Sequence, residues 1–106
     1  MSLPAERLKK ANTTENLWVY ILSLVKKKPI HAYTIQKEIE EKFGFKPGQI
    51  TPYRVLYRLE KDGFVKSEIK QRRRIYKITD LGKEELKKAK IFYKTTLENL
   101  EKNARE

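Results

Sequence analysis

Apolar positions recur along the chain at two spacings, and the change from one to the other divides it into elements. Asn12 with Glu15 three residues on has the pattern of a capping box. It predicts a helix over about residues 13–27. The centre of that helix, residues 17–25, is apolar nearly all the way round. Leu17, Ile21 and Leu24 form one stripe, and Trp18, Leu22 and Val25 form another. Pro29 closes it and Pro29-Ile30-His31 reads as a short extended piece. Ile35, Ile39 and Phe43 at i, i+4 and i+8 predict a second helix over about residues 32–42, with Gln36, Lys37, Glu40 and Glu41 on its other side. Gly44, Pro47 and Gly48 mark a turn-rich connection. Thr51-Pro52 then reads as N-cap and first helical residue of a third helix over residues 53–62, which Gly63 stops. From there the period drops to two. Residues 64–69 and 74–78 alternate as strands around the basic tip 70–73. A final helix is predicted over about residues 83–104, with Leu86, Tyr93 and Leu100 seven residues apart and Ala89, Leu97 and Ala104 in the same stripe.

Three helices followed by a hairpin make a helix-turn-helix with a wing. The fold class is α+β, mainly α: a winged helix-turn-helix with a long C-terminal dimerisation helix. The division is 1–11 as an N-terminal tail or short helix, 12–79 as the DNA-binding domain and 80–106 as the dimerisation helix. The last helix, about 33 Å long at the standard rise of about 1.5 Å per residue, outruns a three-helix core. A long amphipathic helix after a complete domain is more simply a dimerisation arm than extra core. The doubly apolar first helix is its expected partner. The expected dimer interface is Leu17, Trp18 and Ile21 with Leu86, Ala89, Tyr93, Leu97 and Leu100.

Charge sharpens this picture. The net charge is +11. Residues 43–79 hold ten Lys/Arg against three Asp/Glu (+7), residues 1–42 eight against five (+3), and residues 80–106 seven against six (+1). The excess therefore coincides with the helix–hairpin unit, as a polyanion-binding surface requires, rather than being spread for solubility. An apolar content of 39% is low for a self-contained globule and points to a partner chain. There is no cysteine, His31 is the one histidine, and no apolar run is long enough to span a bilayer. A cytoplasmic chain with no membrane association, no metal and no cofactor is expected. His31 itself reads as a residue at the start of a helix, bonded to backbone. No catalytic triad, carboxylate pair or phosphate-binding glycine loop assembles at a recognisable spacing, so an enzyme is not expected.

Three stretches carry a family resemblance. His31-Ala32-Tyr33-Thr34-Ile35 resembles the His-Gly-Tyr-x-Ile start of helix two in PadR-type transcriptional regulators. Residues 53–64, from Tyr53-Arg54-Val55-Leu56 to Gly63-Phe64, resemble that family's Tyr-x-x-Leu-x-x-Leu-Glu-x-x-Gly-Leu. Residues 74–82 resemble its Arg-x-Tyr-x-Ile-Thr-x-x-Gly. The matches are in order and correctly spaced. Ala32 replaces the usual glycine, Pro52 precedes Tyr53 rather than a proline following it, and the C-terminal region is a single short helix that leaves little room for a sensor domain. The resemblance implies a homodimeric winged-helix repressor binding an inverted repeat. A non-specific architectural or RNA-binding winged-helix protein is the alternative.

The candidate DNA contacts follow from position. Arg54 and Arg58, one turn apart on the exposed face of the third helix, can each pair with guanine O6 and N7. Thr51 stands at the helix N-terminus, where the helix dipole favours phosphate. Tyr57 and Lys61 share that side of the helix, and Tyr53, which matches the family's tyrosine, is expected to touch phosphate or a base edge, with a core-rim ring as the alternative. Lys70, Arg72, Arg73 and Arg74 at the wing are expected to reach phosphate or minor groove, with Arg74 alternatively bracing the ribbon. Tyr33 and Lys37 are expected backbone contacts from the second helix. A small flat aromatic effector between two chains, near Trp18 and Phe92 or Tyr93, is a further expectation; a closed aromatic dimer core is the simpler one.

Overall fold

The computed structural model describes residues 2–105. Five α-helices are present among the described residues: α1 (Pro4–Ala11), α2 (Leu17–Lys27), α3 (Ile35–Phe43), α4 (Thr51–Lys61) and α5 (Asp80–Arg105). Three strands, β1 (Ile30–His31), β2 (Val65–Lys70) and β3 (Arg73–Ile78), form one antiparallel sheet in the order β1-β3-β2. The fold is the expected α+β winged helix, with a long C-terminal helix. The extended piece at residues 29–31 turns out to pair as a third strand, Ile30 opposite Tyr76 and His31 opposite Ile75. A two-stranded ribbon is marginal alone. Here β1 closes one edge, and Val65 and Tyr76 are buried on the core side.

α2 lies at the centre, packed against α3, α4, α5 and β3 of its own chain. Leu17, Ile21, Leu22, Leu24 and Val25 are all buried in it. The first stripe is consumed internally, and of the second only Trp18 stays half-buried, which corrects the expectation that a whole stripe faces a partner. A helix apolar all round fits a position surrounded by other elements as well as it fits an interface.

The helix starts differ from expectation too. Asn12 does not open α2. It ends α1, where its backbone N–H and its side-chain amide both bond the Leu8 carbonyl, the latter at 2.8 Å. A 3-10 turn at Thr14–Asn16 intervenes before α2 begins. A second such turn, Ala32–Thr34, leads into α3. Thr51 is the first residue inside α4 rather than its cap: Ile50 flanks the helix, and the backbone N–H groups of Tyr53 and Arg54 reach back to its carbonyl.

The exit from α4 follows the sequence. Gly63 takes a φ of +86°, and the N–H groups of Gly63 and Phe64 return to the carbonyls of Glu60 (3.1 Å) and Leu59 (2.8 Å). This paired closure uses a left-handed residue that glycine supplies without a Cβ clash. It aims the chain directly into β2. Thr79 closes the wing in turn. Its hydroxyl donates to the Gly63 carbonyl at 2.6 Å and accepts the Gly82 N–H at 3.1 Å, capping α5. A side chain at Gly82 would collide with the Phe64 carbonyl, so α5 begins in direct backbone contact with the turn that ends α4.

Only the first part of α5 joins the core, through Gly82, Leu86 and Ala89. Its 26 residues span about 39 Å at the standard rise. The distal half projects from the domain, and the molecule measures 57 × 34 × 22 Å. α1 buries none of its residues.

Candidate nucleic-acid interface

α4 is amphipathic by construction. Pro52, Leu56 and Leu59 face the core, while Tyr53, Arg54, Tyr57, Arg58 and Lys61 are exposed. Tyr57 stands 70% exposed and Tyr53 49%. For aromatic rings these are high values, since nothing in the core requires them outside. Arg58 is the partly committed member: its Nε donates to Asp62 at 2.9 Å. Arg54 and Lys61 make no ion pair among the described residues. Thr51 is half-buried in the first turn. One turn back in the fold, Tyr33 is exposed and Lys37 sits 3.9 Å from Glu41, a loose surface pair.

The wing tip is a two-residue turn, Gln71-Arg72, with φ values of +50° and +66°. Paired strands favour this turn geometry, which usually takes Asn-Gly or other glycine-containing pairs. Gln71 and Arg72 adopt it at a steric cost. The tip therefore carries a cation where the backbone would favour glycine.

The four wing cations divide by partner. Arg72 projects at the tip with no ion pair among the described residues. Arg74 turns back onto the ribbon, donating to Ser67 Oγ at 2.8 Å, the bracing alternative rather than a free contact. Lys70 lies 3.6 Å from Glu68, which Lys77 approaches more closely at 3.3 Å. The Lys77 hydrogen bond and charge, with Lys70 behind them, hold the Glu68 carboxyl below its usual range. Arg73 reaches across to Tyr33: its Nη1 donates to the phenol oxygen at 2.6 Å, and its guanidinium carbon lies 4.9 Å from the ring centroid. Tyr33 in turn lies against His31, with ring centroids 5.5 Å apart. The imidazole is not bonded to backbone as expected. Its Nδ1 is buried without a partner, and it is the His31 carbonyl that accepts from Thr34.

The expected dimer residues separate into two groups. Leu17, Ile21, Leu86 and Ala89 are buried within one chain, so they are core rather than interface, because α2 and the start of α5 pack on each other intramolecularly. Trp18 is half-buried, with its indole N–H 3.3 Å from Asn16 Oδ1. Tyr93, Leu97 and Leu100 are exposed, and Ile91, Phe92 and the α1 residues Leu3 and Leu8 are exposed with them. Phe92 and Tyr93 stack edge to face at 5.9 Å. Ile91 and the two α1 leucines carried no sequence signal, since neither a seven-residue repeat nor a capping pattern includes them.

Trp18 also lines an apolar cleft of about 410 Å3 with Val55, Leu59 and Phe64, edged by Arg54, Arg58, Asp62 and Glu85. No group of three or more His, Cys, Asp or Glu side chains that could hold a metal ion occurs among the described residues. No helix among them is long and apolar enough to cross a membrane.

The sequence model of the transcriptional regulator PadR-like family matches residues 21–88, from the centre of α2 through the wing to the buried start of α5. The chain belongs to this family. PadR-like regulators are DNA-binding transcriptional regulators. Solved structures agree over 80% of the chain or more. A transcriptional regulator from Clostridium thermocellum, Cth-833, is 26% identical, with 95% of this chain and 97% of that one covered and a TM-score of 0.74. A PadR family transcription regulator from Clostridium difficile R20291 is 25% identical over 80% of this chain and 94% of that one, with a TM-score of 0.73. The protein smu.1704 from Streptococcus mutans is 28% identical over 83% and 88%, with a TM-score of 0.65. No curated protein matches the chain.

Proposed function

We propose that this PadR-like regulator is a homodimeric repressor that binds an inverted repeat in double-stranded DNA and acts in the cytoplasm. The observation that carries the DNA reading is the economy of α4. It spends three residues on the core and leaves Tyr53, Arg54, Tyr57 and Lys61 standing free beside a basic wing. Arg54 reads base edges, assisted by Arg58 when Asp62 releases it. Thr51, Tyr53, Tyr57 and Lys61 position the helix. Lys70, Arg72 and Arg73 hold the flanking backbone, with Tyr33 and Lys37 alongside. Arg74 acts indirectly, by stiffening the ribbon.

The dimer reading rests on the distal half of α5. Phe92, Tyr93, Leu97 and Leu100 fall on one side of the helix and form an apolar surface that nothing among the described residues covers. Such a surface on a projecting helix is an association site. Trp18, which shares a cleft with Phe92 and Tyr93, extends it. Two copies would set two α4 helices about 34–36 Å apart, one turn of DNA. Repression follows from occupying a site that overlaps a promoter.

The effector expected between chains keeps some support. Trp18, Phe92 and Tyr93 line a common cleft of about 310 Å3, within the size range of small-molecule sites. Quenching of Trp18 fluorescence by a flat aromatic ligand, together with release of DNA, tests it.

Selection from a random duplex library at near-physiological salt, followed by sequencing of the bound pool, tests the main reading. An enriched inverted repeat with half-sites one turn apart supports it. Salt-sensitive binding with no enrichment favours the architectural alternative. Preference for RNA overturns it.

A further inference from the structure

Arg73 is held in place by a neutral aromatic side chain from outside the wing. Its Nη1 bonds the Tyr33 phenol at 2.6 Å and its guanidinium sits against the ring, while no carboxylate pairs with it among the described residues. The pinning is therefore geometric, and the charge is left uncompensated. Arginine presents five N–H donors, so most remain available in a fixed orientation. Tyr33 is itself supported from beneath by His31. His31, Lys70, Gln71, Arg73 and Ile75 line a notch of about 710 Å3 between β1 and the base of the wing, open to solvent and containing no carboxylate. The Nδ1 of His31 is sealed away without a partner. With Nδ1 sealed, the other ring nitrogen, Nε2, is the one left to serve the notch as donor.

We propose that this notch is a preformed seat for one phosphodiester of the DNA backbone, with Arg73 and His31 as its donors and Tyr33 as the positioning residue that holds Arg73. It deepens the DNA-binding reading and rests on it. Ordering a long cation before the ligand arrives removes much of the entropy that binding would otherwise cost. The seat lies on the wing sheet rather than on α4. It fixes the register of the protein along the backbone and carries no base preference.

The test is a salt titration of binding to a random-sequence duplex by the full chain and its variants, with circular dichroism to confirm folding. Arg73→Gln is expected to flatten the slope of log affinity against log salt by about 0.9, the loss of one phosphate contact. Arg73→Lys keeps the charge and the slope but loses affinity. Tyr33→Phe leaves the slope unchanged and weakens binding about three- to tenfold, the scale of one hydrogen bond. His31→Phe keeps the ring against Tyr33 and weakens binding by a similar factor. Lys94→Gln, on the projecting part of α5, leaves both quantities unaltered. Steep salt-dependent binding by wild type with Arg73→Gln and Tyr33→Phe indistinguishable from it would overturn the seat and leave the DNA reading standing. Absence of salt-dependent duplex binding by wild type would overturn the DNA reading and the seat together.

Discussion

Glu60 and Ser67 are joined twice: one carboxylate oxygen of Glu60 accepts the Ser67 hydroxyl at 2.6 Å and the Ser67 backbone N–H at 3.0 Å. Glu60 lies on α4 and Ser67 on β2, so this pair locks the wing to α4. Arg74, donating to the same hydroxyl, extends the lock across the ribbon. Glu60→Ala removes the acceptor of both bonds. The group is half-buried, so the expected loss is about 1–2 kcal/mol, at the lower end of what charged hydrogen bonds contribute. Urea denaturation reads that loss. DNA affinity falls with it on every sequence alike, because the wing is loosened and no base contact is touched.

Base reading and backbone holding separate by position. Arg54, free on α4, can take a bidentate guanine contact with about 1–3 kcal/mol of discrimination. Arg54→Ala is expected to relax sequence preference in competition binding. Arg72→Ala, at the wing tip, is expected to weaken all duplexes equally and to reduce the salt slope by about 0.9. Equal loss on every sequence for Arg54→Ala would assign that residue to the backbone instead.

α5 changes role along its length, and substitutions divide accordingly. Leu97 and Leu100 are 60% and 64% exposed in the single chain. Leu97→Glu with Leu100→Glu is expected to give a folded monomer by sedimentation, with circular dichroism retained. Leu86 is buried on the same helix. Leu86→Ala leaves a cavity and is expected to lower stability by about 2–5 kcal/mol, whatever the oligomeric state.

Glu68 provides a pH signature for the wing. Lys77 first, and Lys70 second, depress its carboxyl below the usual 4.5. A depressed acid contributes stability that is fully present above the unfolded value and is lost as pH falls through the folded one. The hairpin is therefore expected to lose this contribution only below about pH 4.5, well outside the neutral range. Lys77→Ala returns the Glu68 titration toward the usual value, as carboxyl chemical shifts followed by NMR would report.

Most of the elements, and the pairing of a basic helix with a basic hairpin, were legible in the sequence. Local rules suffice there: a glycine with positive φ at Gly63, alternation through Val65 to Ile69, and Leu56 with Leu59 on one side of α4 leave the opposite side to Arg54 and Lys61. Which apolar faces are spent inside the chain emerged with the packing. Leu17 and Ile21 are as apolar as Leu97 and Leu100, and periodicity cannot tell a face covered by its own chain from one awaiting another. The answer depends on how many elements surround α2, which is a property of the assembled fold. The same holds for the cations. Arg72, Arg73 and Arg74 are consecutive in sequence, yet one is free, one is pinned by Tyr33 and one is bonded to Ser67. Strand geometry sends successive side chains to opposite faces, and the partners waiting there come from forty residues away in one case and seven in the other.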